Sequence, residues 1–74
     1  MSVPEIDLHG LRRRRAESVL RSWIPRQRVP FRIITGNGGT LAKLAKEILD
    51  AKGYKYQNAS DWNLGCLVIY ERKR

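Results

Sequence analysis

One cysteine, Cys66, stands alone among 74 residues, which excludes an internal disulfide and a thiolate zinc site. It falls inside an apolar strand, where a free cysteine serves as a small buried hydrophobe. No apolar run approaches membrane-spanning length and no secretory leader pattern is visible, so an intracellular, cytoplasmic protein with no membrane partner is expected. Carboxylates are scarce as well, seven against fifteen Lys and Arg. A two-metal centre needs several clustered carboxylates. Only Glu5 could join Asp7, so neither a metal site nor a cofactor is expected. Histidine is single, and any imidazole chemistry falls to His9.

What the chain has in excess is positive charge. The net +8 divides into +5 over residues 1–37 and +3 over 38–74. On so small a surface this favours a polyanion, nucleic acid above all. Neither helical stretch combines a bulky aromatic face with a uniformly basic one, which argues against an anionic membrane. The length fits one small domain, residues 1–74 with a core at about 5–70, either a complete small protein or one module of a longer chain.

The chain is organised around Thr35-Gly36-Asn37-Gly38-Gly39-Thr40. Phe31, Ile33 and Ile34 before it read as a buried strand spanning Phe31 to Thr35. Leu41, Leu44, Ala45, Ile48 and Leu49 after it recur at helical spacing, predicting a helix over Leu41–Lys52 with Gly53 as its left-handed cap. Clustered glycines allow positive φ and close backbone approach, and a helix N-terminus presents free N–H donors, a combination suited to phosphate. The same turn also reads as a plain connector with Thr40 as N-cap. It is not a Walker loop, since the Gly-Lys-Ser/Thr ending is missing, nor does it match the dinucleotide fingerprint.

Upstream, Glu5 to His9 alternates polar and apolar. A strand there buries Ile6 and Leu8 and puts Glu5, Asp7 and His9 on the other face. Gly10 ends it. A helix from about Arg12 to Trp23 follows, with Ala16, Val19, Leu20, Trp23 and Ile24 on one stripe and Glu17 set to pair with Arg21. Pro25 closes that helix, and residues 26–30 form a basic connector. Tyr54–Asn58 reads as a half-buried strand, Ala59–Leu64 as a return turn, and Gly65–Tyr70 as a strand apolar on both faces. The order is βαβαββ, a two-layer α/β sandwich with two helices on one face of a four-stranded mixed sheet. Right-handed crossovers make the first two strands parallel and bring Asp7–His9 beside the glycine turn.

Three features of this layout can carry chemistry. Asp7 and His9 can serve as orienting carboxylate and general acid–base imidazole, or as a local backbone ligand and an incidental histidine. Arg12, Arg13, Arg14 and Arg15 open a helix where the macrodipole disfavours cations, so they read as facing an anion or as a solvated basic face. Trp62 in the return turn is placed to stack on a base or to lid a small core.

Ile6-Asp7-Leu8-His9-Gly10 resembles the Leu-Asp-Leu-His-Gly signature of the Smr (small MutS-related) domain. Ile33-Ile34-Thr35-Gly36-Asn37-Gly38 resembles its second signature, His-Gly-x-Gly or Thr-Gly-x-Gly after a hydrophobic strand. Gly65 and the apolar strand after it fit the closing segment of that family. The likeness runs from Glu5 to Tyr70 in order and spacing. It implies a βαβαββ fold similar to the C-terminal domain of bacterial translation initiation factor three. It also implies a module that binds nucleic acid and in several members cuts it, nicking DNA or cleaving RNA, including messenger RNA on stalled ribosomes. Carried over, the acid and imidazole fall on Asp7 and His9, and the second motif falls on Thr35, Gly36, Asn37 and Gly38. Thr35 stands where many members have His, leaving one imidazole, and Asn63-Leu64-Gly65 replaces a denser glycine segment. The expectation is a monomeric endonuclease favouring RNA. In it Asp7 and His9 are catalytic, and residues 35–39, Arg12–Arg15 and Trp62 bind nucleic acid, with the ribosome as a further partner. The alternative is a binding module without catalysis.

Overall fold

The computed structural model describes residues 3–36, 39–60 and 63–72. The elements run β1 (Glu5–Asp7), α1 (Arg13–Trp23), a single 3-10 turn (Ile24–Arg26), β2 (Phe31–Ile34), α2 (Thr40–Lys52), β3 (Tyr54–Ser60) and β4 (Asn63–Arg72). The sheet has the order β1-β2-β4-β3. β1 pairs parallel with β2, and β4 pairs antiparallel with both β2 and β3. This is the expected two-layer sandwich.

Apolar periodicity explains which faces meet. Ala16 and Leu20 of α1 and Leu44, Ala45, Ile48 and Leu49 of α2 are buried in one cluster with Phe31, Ile33, Leu67 and Ile69 of the sheet. Phe31 lies at its centre, edge-to-face with Trp23 at 5.4 Å and Tyr54 at 5.7 Å between ring centroids. Such contacts contribute about 0.5–1.5 kcal/mol each beyond area burial. The alternate residues of β2 and β4 point to the open face, where Arg32 pairs with Val68 and Ile34 with Cys66. β4 is apolar on both faces because it is an inner strand, flanked by β2 and β3. Cys66 is a free, buried thiol, and burial pushes its pKa up. No helix of the described residues is long and apolar enough to cross a membrane.

Several boundaries differ from expectation for local reasons. Pro25 does not end the helical path at once, because a proline at the start of a 3-10 turn lacks only an N–H that would be unpaired anyway. α2 begins at Thr40 with Gly39 as its N-cap at φ 84°, a left-handed conformation open to glycine, so Thr40 is not the cap. β3 and β4 extend to Ser60 and from Asn63, since hairpin pairing carries polar residues that show no apolar alternation. The Glu17–Arg21 pair forms at 3.0 Å, and Gly53 caps α2 at φ 80°. Tyr56 donates its hydroxyl to Asp50 at 2.9 Å, tying β3 to the end of α2. Burial and that carboxylate raise the phenol's pKa.

Candidate nucleic-acid site

Parallel pairing of β1 and β2 carries both signature segments to one sheet edge. Leu8 N–H continues the ladder onto Ile34 O at 2.7 Å, and Leu11 N–H then turns back to Leu8 O at 2.9 Å. Gly10 takes φ 84° within this turn. Leu8 is fully buried and anchors the turn, whereas His9 projects into solvent at its tip.

β1 ends at Asp7, so Asp7 and His9 do not share a strand face as the alternation implied. Asp7 instead accepts the backbone N–H of His9 on Oδ1 at 2.8 Å. The carboxylate fixes the path of the chain rather than bonding the ring. Turn chemistry wins over the strand period here, because a short acidic side chain at a strand end reaches the amide two residues on.

What holds the imidazole is glycine. A Cβ on Gly36 would lie 3.1 Å from His9 Cδ2, so the ring rests on the bare backbone of the turn, where φ is +74°. Behind Gly36 stands a second glycine. A Cβ on Gly65 would meet the carbonyl carbon and oxygen of Gly36 at 3.0 and 3.1 Å. Because it has none, Gly65 O comes close enough to accept two N–H groups, from Thr35 at 2.7 Å and Gly36 at 3.1 Å. Thr35 is buried, and its hydroxyl donates to the same carbonyl at 3.3 Å. Gly65, Gly36 and His9 thus form a stack running from β4 to the surface. Sequence reasoning places Gly65 only at the start of a strand. Its signal is a glycine inside a β-rich run, which marks close backbone approach.

These residues line a cleft of about 200 Å³, bounded by His9 and Gly10, floored by Thr35 and Gly36, and closed by Gly39, Thr40 and Leu41. Sites that bury whole small molecules run to about 300–1,000 Å³, so this one is smaller than a site that encloses a whole small molecule. The amides of Thr35 and Gly36 are committed to Gly65 and face away from it. Among the described residues, the available donors belong to α2. Among them no side chain caps that helix, and its first internal bond runs from Lys43 N–H to Gly39 O at 2.9 Å. The N–H groups of Thr40, Leu41 and Ala42 have no partner among the described residues and lie at the positive end of the helix. Asn37, Gly38 and Trp62 lie outside the described residues. Among the described residues, no group of three or more His, Cys, Asp or Glu side chains is disposed to hold a metal ion.

Arg12 to Arg15 are all exposed, and Arg12 begins three residues after His9, within about 10 Å along the chain. Arg13 reaches Glu47 of α2 at 3.8 Å, while no acidic partner is present for Arg12, Arg14 or Arg15 among the described residues. Replacing all four with Gln is expected to weaken RNA binding and to flatten its salt dependence. The log–log slope should fall by about 0.7 for each phosphate the variant no longer neutralises. Gel-shift titrations across a salt series, with melting curves alongside, measure this. Unaltered affinity would make the run a solvated face.

Compared with known proteins, the chain matches no family model, no curated protein and no solved structure.

Proposed function

We propose that this chain is an Smr-like domain that binds RNA and cleaves it using the RNA's own 2′-hydroxyl. The observation that carries this reading is the seat of His9. A solvent-facing imidazole rests on Gly36 at the rim of a small cleft whose far side is the N-terminus of α2. A phosphodiester in that cleft would accept hydrogen bonds from the Thr40, Leu41 and Ala42 amides, which stabilise charge on its non-bridging oxygens as it develops. His9 would take the proton of the adjacent 2′-hydroxyl as its oxygen attacks phosphorus. The bond to the 5′-oxygen breaks, and that oxygen leaves with a proton from the imidazolium or from water. The products are a 2′,3′-cyclic phosphate and a 5′-hydroxyl. Asp7 acts one step back as a positioning residue, through the His9 amide. A cytoplasmic, monomeric protein with ribosome-associated RNA among its candidate substrates goes with this reading.

RNA suits the residues better than DNA. DNA hydrolysis needs an activated water, whereas RNA brings a nucleophile already held beside its phosphate. The test is incubation of purified protein with labelled RNA and matched DNA in excess chelator, followed by analysis of the product ends. RNA cut to a cyclic phosphate, with DNA left whole, is the expected result. A second reading, a binding module without catalysis, is favoured by one observation. Asp7 is engaged with backbone and gives the imidazole no carboxylate partner. Gel-shifted but intact RNA would select it.

A further inference from the structure

The other end of β2 carries a second recess that the cleavage site does not use. Gln27, Arg28, Val29, Tyr54 and Arg72 line a cavity of about 340 Å³, within the range of sites that bury a small molecule. It lies just before β2, at the opposite end of that four-residue strand from the His9 cleft, with about 13 Å of strand between them. Its walls combine two chemistries. Val29 is half-buried and Tyr54 is buried against Phe31, which gives an apolar back wall. Two exposed guanidinium groups, Arg28 and Arg72, line it, and no carboxylate of the described residues does.

The Arg72 guanidinium sits over the Tyr54 ring, 5.4 Å from its centroid. An arginine held by a ring rather than by an acid is fixed in place while its N–H donors stay available to an anion. The nearby acids are engaged elsewhere, Glu71 with Lys55 at 3.2 Å and Asp50 with the Tyr56 hydroxyl. Arg28 has no acidic partner among the described residues.

We infer that this recess binds a nucleoside monophosphate unit, its phosphate between Arg28 and Arg72 and its flat base against Val29 and Tyr54. The unit is either a free mononucleotide or one residue of a polynucleotide lying across the domain. The second source rests on the RNA reading above; the pocket chemistry does not.

Nuclear magnetic resonance titrations of the intact chain separate these cases, using 5′-uridine monophosphate, inorganic phosphate and a short 2′-O-methylated oligouridine as probes. The mononucleotide is expected to shift Val29 and Tyr54 signals saturably and to bind well ahead of phosphate alone. Arg28→Gln, which breaks no ion pair among the described residues, is expected to weaken it about tenfold, the change for one charge-assisted hydrogen bond removed. Arg72→Gln should do the same, with a melting curve to register what its packing on the Tyr54 ring is worth. A parallel weakening for the oligouridine assigns the site to a polynucleotide unit. An oligouridine unaffected by either variant assigns it to the free nucleotide. Phosphate binding as tightly as the nucleotide, no shifts at Val29 and Tyr54 with any probe, or undiminished binding by both arginine variants would overturn the assignment. None of these readouts requires cleavage, so a chain that cuts no RNA but passes them loses the nuclease reading and keeps this site.

Discussion

Gly36→Val is expected to reduce cleavage by about a hundredfold or more, as far as loss of the imidazole itself, because it acts on the ring and the turn together. At φ +74° the backbone of residue 36 is open to glycine and strained for a β-branched side chain, at a cost of about 1–3 kcal/mol. Any Cβ there also meets His9 Cδ2 at 3.1 Å, so the ring must shift from its seat, and the γ-methyls of valine add to that pressure. Binding is expected to fall less than cleavage, since the exposed arginines do not depend on this seat. Melting curves are needed beside the assay, because backbone strain alone can unfold a domain of this size. Gly65→Ala is the companion variant. Its Cβ would press on the Gly36 carbonyl at 3.0–3.1 Å, and backbone cannot swing aside as a flexible side chain can. It keeps the Gly36 conformation available but disturbs its support, so cleavage should drop without a change in the basic surface. If both variants fold, bind and cut normally, the glycine stack only connects elements.

The parts of this site legible in sequence are those set by periodicity. Apolar alternation in residues 5–8 and 31–34, with helical spacing between and after them, predicts two parallel strands and their shared edge, and β1 and β2 do pair in parallel. The glycines at 36, 39 and 53 mark where the chain must turn left-handed, and each has positive φ. What periodicity could not supply is contact between segments far apart in the chain. The carbonyl of Gly65 receives amides thirty residues away, and only the register of β4 against β2 shows that it does. Of the two readings of Asp7, the local backbone contact is the one that forms, and the strand face shared with His9 failed for a more local reason. A two-residue alternation cannot tell a strand from a strand that ends two residues early, and the end decides whether a carboxylate meets a ring or an amide. The second recess was invisible for the same reason as Gly65. Arg28, Tyr54 and Arg72 are spread over three segments, and none of them stands in a motif.

His9→Ala is expected to lower RNA cleavage by about a hundredfold or more, the usual scale for a missing general acid–base group, while leaving RNA affinity nearly unchanged. The imidazole is exposed and lies against the Gly36 backbone, so its removal opens no core cavity and the melting temperature should hardly move. That separation of rate from stability is what distinguishes a catalytic ring from a structural one. Asp7→Asn makes a graded comparison. The amide oxygen can still accept the His9 N–H, so the turn should persist and cleavage should fall less than in the histidine variant. Asp7→Ala removes that acceptor and should fall further, because His9 loses the bond that sets its position. The decisive substrate is RNA methylated on the 2′-oxygen at the scissile position. With its nucleophile blocked it should bind and stay whole in chelator, while unmodified RNA is cut to a cyclic phosphate. Cleavage of the methylated strand would rule the mechanism out, and strict metal dependence would point to an activated water instead.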